Sequence, residues 1–179
     1  MRTNTDRILS IMKFLFWLVF IGLCIKTGTI ILSFIISLFS HSEAASDLYL
    51  GLNLNELYQK HFVHYICLVL SIIMLSALKA YIAYLVTKIF IKINFNAPFN
   101  NITANLLMRI SHGALAAGII ALVAYGYNFW LIRSKASMLN TIPFVEGSRE
   151  FLFLAGIIFI IAQIFKKGVD LQSENELTI

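Results

Sequence analysis

The chain has 179 residues, of which 59% are hydrophobic and only 13% are charged, and its formal net charge is +5. A soluble domain is about 45–50% apolar and about 25% charged, so this composition excludes an ordinary soluble domain. A mean hydropathy of +0.83 indicates an integral membrane protein. The length leaves room for one domain. We predict an all-α fold: a four-helix transmembrane bundle with a short interfacial segment in its first connection.

The first predicted span covers residues 14–39. As a helix it is about 39 Å long, more than the roughly 30 Å hydrocarbon core of a bilayer, and too long for the apolar core of a cleaved signal peptide. Lys26 lies near its middle, and lipid cannot satisfy an ammonium group. The face of Lys26 must therefore point toward protein or water. Small and polar residues share that face: Gly22, Lys26, Thr29, Ser33, Ser37 and Ser40.

The first connection, residues 41–60, contains leucines at every second position from Leu48 to Leu54. Strict alternation is a strand signal, but one short strand has no partner here. We predict a segment at the membrane interface that passes into a short helix near residues 55–59. Span two covers residues 62–87. Lys79 lies within it, on a face shared with His61, Tyr65, Ser76, Ala83 and Thr87.

Span three is predicted at residues 106–132, after a break at Pro98 in which Asn100 or Asn101 is the expected N-cap. Small residues line one face of this span, a spacing that lets helix backbones approach closely in lipid. Internal packing is the favoured interpretation of this stripe, and homodimerisation is the alternative. The stripe consists of Gly113, Ala117, Ala121 and Ala124, with Ala114 and Gly118 beside them.

Span four is predicted at residues 147–165, followed by a polar tail over residues 166–179. Lysine and arginine are more frequent in cytoplasmic connections. One membrane face carries eight of them and the other carries four. We therefore predict that both termini lie in the cytoplasm and that the protein resides in the cell membrane.

The two cysteines, Cys24 and Cys67, are interpreted as small buried hydrophobes at depths too different for a disulfide. His41, His61 and His64 gather at the outer face with Glu43, Asp47 and Glu56, but zinc requires three or four converging ligands. Interfacial histidines are more often structural. No metal site and no cofactor is predicted, and His112 is assigned to packing.

The end of the chain, IFKKGVDLQSENELTI, resembles the C-terminal signature of the bacterial domain of unknown function 2975 family. That signature is a basic pair, a glycine and an acidic-polar run ending in Leu-Thr and an aliphatic residue. The stretch NAPFN resembles the Asn-Pro-Phe element of the same family, with Ala97 inserted between Asn96 and Pro98. The family has no established activity, so the resemblance implies no catalytic residue. Its members are often encoded beside small helix-turn-helix regulators, which implies a regulatory partnership.

No catalytic motif, phosphate-binding loop or CxxC pair is present, and no carboxylate lies within a span. We therefore predict a non-enzyme. The basic residues are divided between the membrane margins, so direct binding of nucleic acid is not expected. The lipid bilayer is the one obligatory partner. The alternative to a binding or signalling function is a bundle with a purely structural role.

Two function classes stay open. The first is a sensor or accessory subunit that acts through a cytoplasmic regulatory protein, with Lys166, Lys167, Asp170 and Glu174 as docking residues. The second is a carrier or binder of an anionic ligand or lipid that uses Lys26 and Lys79. In the second hypothesis both lysines reach a cavity lined by Thr29, Ser33 and Ser76. The alternative is that each lysine snorkels or bonds to neighbouring oxygens without any function.

Overall fold

The computed structural model describes residues 4–39, 42–92, 99–134, 142–145 and 147–176. Four helices in this part of the chain are long and apolar enough to cross a membrane, and the described residues contain no strand. The all-α class and the four predicted membrane helices are confirmed. The helices are α1 (Asn4–Phe39), α2 (Asn55–Lys60), α3 (Phe62–Lys92), α4 (Asn101–Arg133), α5 (Ile142–Val145) and α6 (Ser148–Glu176), with a 3-10 helix at Ser42–Ala45.

The four long helices pack in chain order. Helix α1 packs on α3, α3 on α4, and α4 on α6, whereas no substantial contact among the described residues joins α1 to α6. The middle helices α3 and α4 therefore form the buried centre. About 44% of the apolar stretch of each middle helix is buried, against 0% for α1 and 11% for α6. The outer helices consequently present most of their apolar surface to lipid.

One end of the molecule, which we call the cap end, is closed by the first connection, which precedes α3, and by α5, which precedes α6. Leucines of the first connection are fully buried there against α1, α3 and α4, together with Val145 of α5. The opposite end, the tail end, holds the start of α1, the Asn100 cap of α4 and the end of α6. The buried leucines of the cap are Leu48, Leu52, Leu54 and Leu57.

The alternating leucines form a tight loop because the chain reverses at Leu50 and Gly51. Both residues have positive φ, at 42° and 86°, and the backbone N–H of Gly51 donates to the Asp47 carboxylate (3.0 Å). Leu50 is therefore 81% exposed, while Leu48 and Leu52 are buried. The predicted short helix after this loop is confirmed as α2.

The small-residue stripe of α4 is buried inside a single copy of the chain. Gly113 lies against Ile82 of α3, and Ala117 and Ala121 are fully buried in the cluster shared by α3, α4 and α6. Ala124 is buried in the cluster of the cap end. This stripe therefore serves internal packing, and homodimerisation, which stays a prediction, would need a different surface.

The assignment of both cysteines to buried positions is wrong. Cys24 and Cys67 are exposed on the surface of the isolated chain. In a membrane protein that surface is itself apolar, because it faces lipid, so an apolar neighbourhood in the sequence does not distinguish a buried thiol from a lipid-facing one.

The predicted N-cap is confirmed at Asn100, whose side chain accepts a hydrogen bond from the Thr103 N–H (2.8 Å). The long helices continue past several of the span limits expected from hydropathy. Helix α6 is the clearest case, because residues 166–176 extend it without a break. Lys, Gln and Glu are good helix formers, so leaving the apolar region does not end the helix.

Candidate functional site

Lys26 lies directly beneath the cap. Its Nζ is 5.6 Å from the ring centre of Tyr49 in the first connection and 5.3 Å from that of Phe144 in α5. The lysine is half-buried, so its side chain points toward protein. Ring faces attract a cation most strongly when water is excluded, and these two rings separate Lys26 from the cap end.

Lys79 is the intramembrane lysine of α3, as Lys26 is that of α1. Its Nζ is 5.4 Å from the ring centre of Phe151 in the first turns of α6, and it too is half-buried. Lys26 and Lys79 lie on packed neighbouring helices, because α1 contacts α3 and α3 also contacts α5, whose Phe144 lies over Lys26. Among the described residues no carboxylate is paired with either lysine, and the recorded ion pair is Lys60 with Glu56 on the surface of α2. Glu146 lies outside the described residues.

Helices α1 and α6 make no substantial contact among the described residues, and we call the space between them, beside Lys26 and Lys79, the cleft. The Lys26 face of α1 is turned toward α5, because Lys26 lies over the ring of Phe144. Gly22, Thr29 and Ser33 follow the same face by helical spacing. Gly22 and Thr29 are exposed, and a Cβ added at Gly22 would meet no atom within 4 Å. This wall of the cleft is therefore polar, small and open.

The opposite wall of the cleft is apolar. Phe151 faces Lys79, and Leu154 and Ile158 lie three and seven residues further along the same face of α6. Leu154 is partly exposed, and Ile158 packs against the core from its edge. The cleft thus combines two cations and hydroxyl groups on one side with aliphatic side chains on the other.

The predicted hydroxyl groups are placed as follows. Thr29 donates to the carbonyl of Ile25 (2.9 Å), and Ser76 donates to the carbonyl of Ile73 (3.0 Å) and is buried within α3. Both oxygens keep lone pairs but have their hydrogens committed to their own helix. Ser33 is half-buried on the Lys26 face. Sequence reasoning missed Tyr49, Phe144 and Phe151, because aromatic residues are common in this chain and their contacts with Lys26 and Lys79 are tertiary.

His61 and His64 take part in an aromatic cluster at the start of α3, together with rings of α4. His64 Nδ1 is 2.7 Å from the Tyr127 hydroxyl, and its ring lies 5.7 Å from those of His61 and Trp130. No group of three metal-ligating side chains occurs among the described residues, and His41 lies outside them. His112 is exposed, so its assignment to packing is wrong.

The predicted docking residues lie on the last turns of α6. Lys166, Lys167, Asp170 and Glu174 are all exposed there. Between them Gly168 lies against the ring of Phe99, so closely that an added Cβ would fall 2.5 Å from it. Phe99 also contacts the ring of Phe165 at 5.3 Å. Phe99 of the NAPFN stretch is thus in direct contact with Phe165 and Gly168 of the C-terminal signature.

A separate pocket of about 500 Å³ lies on the outer flank of the α4–α6 pair. It is lined by Leu122, Tyr125, Gly147, Ser148, Arg149 and Glu150. Neither intramembrane lysine contributes to it, so it is distinct from the cleft.

Four apolar helices and a hydrophobic exterior define a multi-pass α-helical membrane protein. The chain belongs to the family described as protein of unknown function (DUF2975), whose model matches residues 49–179. The match includes Lys79, both resembling motifs and the cap from Tyr49 onward, and it begins after α1, Lys26 and Leu48. No curated protein and no solved structure matches the chain.

Proposed function

We propose that this protein is a non-enzymatic membrane protein that binds an anionic group between Lys26 and Lys79. The placement of two cations on neighbouring helices of the membrane-spanning region, with no carboxylate partner among the described residues, supports the proposal. Two ammonium groups in a poorly hydrated site repel each other and lose solvation. An anion between them offsets both costs, and the rings of Tyr49, Phe144 and Phe151 hold the two side chains toward the cleft.

The test compares the anionic molecules that copurify with the wild-type protein and with lysine variants, extracted by organic solvent and quantified by mass spectrometry. Lys26→Met or Lys79→Met is expected to lower the bound anion about tenfold, because a charge-assisted hydrogen bond contributes about 1.5–3 kcal/mol. Lys88→Met is the matched control. Lys88 also lies over a ring, that of Tyr84 at 5.0 Å, but one that does not contact Lys26 or Lys79.

Equal recovery from wild type, Lys26→Met and Lys79→Met would contradict the proposal.

A second function rests on the exposed end of α6. We propose that Lys166, Lys167, Asp170 and Glu174 dock a cytoplasmic regulatory protein, which would make the chain a sensor or accessory subunit. The exposure of all four residues on a continuous helix supports this proposal. A chain truncated after Gly168 is expected to lose a partner that full-length protein captures after crosslinking. If truncation leaves every captured partner in place, the docking proposal is wrong.

This second function requires the tail to lie in the cytoplasm, as the distribution of basic residues predicts. A single cysteine at position 172, in a variant lacking Cys24 and Cys67, is expected to resist a membrane-impermeant thiol reagent in intact cells and to react after lysis. Reaction in intact cells would show the opposite orientation.

A further inference from the structure

We infer that the anion bound by Lys26 and Lys79 is the phosphate of an anionic phospholipid, which enters the cleft sideways from the bilayer between α1 and α6. This inference rests on the proposed function and names its ligand class and its route. It follows from three properties of the cleft: the closure at the cap end, the opening toward lipid and the division into a polar and an apolar wall.

The cap end is closed above Lys26. Tyr49 and Phe144 cover its ammonium group. Around them Leu48, Leu52 and Val145 are fully buried. A soluble anion arriving from the cap side would have to displace these rings and the packed leucines of the first connection.

The flank of the cleft is open. No substantial contact among the described residues joins α1 to α6. Gly22 and Thr29, on the cleft side of α1, are exposed. In the membrane an opening of this kind faces lipid and not water, so a bilayer component reaches Lys26 without unfolding any part of the cap.

The two walls match the two parts of a phospholipid. Lys26 and Lys79 offer two positive charges to a phosphate, and the Thr29 oxygen lies on the same wall. Phosphatidic acid ends in a phosphate monoester, which carries about −1.5 to −2 at neutral pH and would balance both lysines, so it is the anionic phospholipid that this site fits best. Leu154 and Ile158 on α6 offer aliphatic surface to an acyl chain that runs along the cleft.

The experiment places the full-length protein in nanodiscs of phosphatidylcholine containing a small fraction of spin-labelled phosphatidic acid or, separately, spin-labelled phosphatidylcholine. Electron paramagnetic resonance reports the fraction of each labelled lipid immobilised by the protein. Wild type is expected to immobilise phosphatidic acid about tenfold more strongly than phosphatidylcholine, because its phosphate meets two cations. Lys26→Met/Lys79→Met is expected to abolish this preference, and Lys88→Met to keep it.

A blocking variant tests the route without changing charge. Gly22→Trp places an indole in the open space beside Lys26 and is expected to reduce immobilisation at least as strongly as the lysine variants. Gly156→Trp is the control, because Gly156 is exposed and its added Cβ also meets no atom within 4 Å. Equal immobilisation by wild type and Gly22→Trp, or an equal loss in the two tryptophan variants, would overturn the lateral route.

Inorganic phosphate, added to nanodiscs of phosphatidylcholine alone, separates the inference from the proposed function. If it binds in a manner that depends on Lys26 and Lys79 while phosphatidic acid is not retained, the anion-binding function holds and the lipid inference is wrong. If neither phosphate nor phosphatidic acid binds in that manner, both are wrong.

Discussion

The two outer helices are attached to the centre in different ways. At the α4–α6 interface the backbones come together: a Cβ added at Gly118 would lie 2.8 Å from the Leu152 side chain and 3.1 Å from its backbone nitrogen. At the α1–α3 interface aromatic rings fill the space instead, with ring centres 5.5 Å apart for Phe16 and Phe90 and 5.7 Å apart for Phe20 and Tyr84.

The two interfaces therefore differ in how much added side-chain volume each can accommodate. Backbone contact leaves no side chain that could rotate to admit extra volume, whereas rings at a distance can tilt. The α4–α6 interface therefore fixes α6, and the α1–α3 interface permits α1 to adjust. The cleft that holds Lys26 and Lys79 lies between one helix of each kind.

The largest expected effect comes from filling the α4–α6 contact. Gly118→Leu forces Leu152 and its backbone away and is expected to cost at least about 3 kcal/mol, the upper end for overpacking. Gly126→Leu on the same helix is the control, because its added Cβ meets nothing within 4 Å. Thermal unfolding in detergent measures both. Equal midpoints would show that the α4–α6 interface adapts as easily as α1–α3.

The second-largest effect is expected from the hydrogen bond between Ser37 and Tyr65 at the α1–α3 interface. Ser37 donates its one hydrogen to the carbonyl of Phe34 (2.7 Å), so the Tyr65 hydroxyl donates to Ser37 (2.6 Å). Tyr65→Phe removes this buried bond and is expected to cost about 0.6–1.7 kcal/mol, the range for interhelical bonds in membranes. Tyr81→Phe, at an exposed ring on the same helix, should change the free energy of unfolding little. A cycle with Ser37→Ala isolates the pair, and zero coupling would contradict the assignment.

The corresponding bond at the α4–α6 interface joins Ser111 to the carbonyl of Ala155 (3.0 Å). Ser111→Ala is expected to cost about 0.6 kcal/mol, less than Tyr65→Phe, because the Gly118 contact holds the two helices together without it. Ser71→Ala is its control, since Ser71 bonds only within its own helix, to Cys67 (2.8 Å). A loss for Ser111→Ala above that for Tyr65→Phe would reverse the expected order.

The smallest effect is expected at the tail end. Gly168→Ala pushes the Phe99 ring aside, but that ring is 40% exposed and free to move. The gain in helix propensity, about 1 kcal/mol, offsets the lost contact. Unfolding should shift by under about 0.5 kcal/mol, while hydrogen exchange near the α4 N-terminus accelerates. Unchanged exchange would show that Phe99 does not secure this end.

The four long helices could be predicted because each is a long apolar run, and the Asn100 cap because its side chain acts locally. The burial of the α4 stripe also followed from spacing, since Gly113 and Ala117 admit neighbouring helices. The Leu50 turn could not be predicted, because a positive φ at leucine depends on the packing of Leu48 and Leu52 around it. The rings over Lys26 belong to Tyr49 and Phe144, which are far from Lys26 in the sequence. The spacing of residues within one helix could therefore not predict these contacts.

Helix α6 runs unbroken from the cap end to the tail end over 29 residues, and its contacts with α4 make it a rigid strut. Gly118 lies against Leu152 near the start of the helix, and Ser111 bonds to Ala155 less than one turn further along. From Leu152 to Glu176 the helix measures about 36 Å at about 1.5 Å per residue, more than the roughly 30 Å hydrocarbon core of a bilayer. The same rigid helix that places Phe151 over Lys79 therefore also carries Asp170 and Glu174 out to the opposite membrane surface.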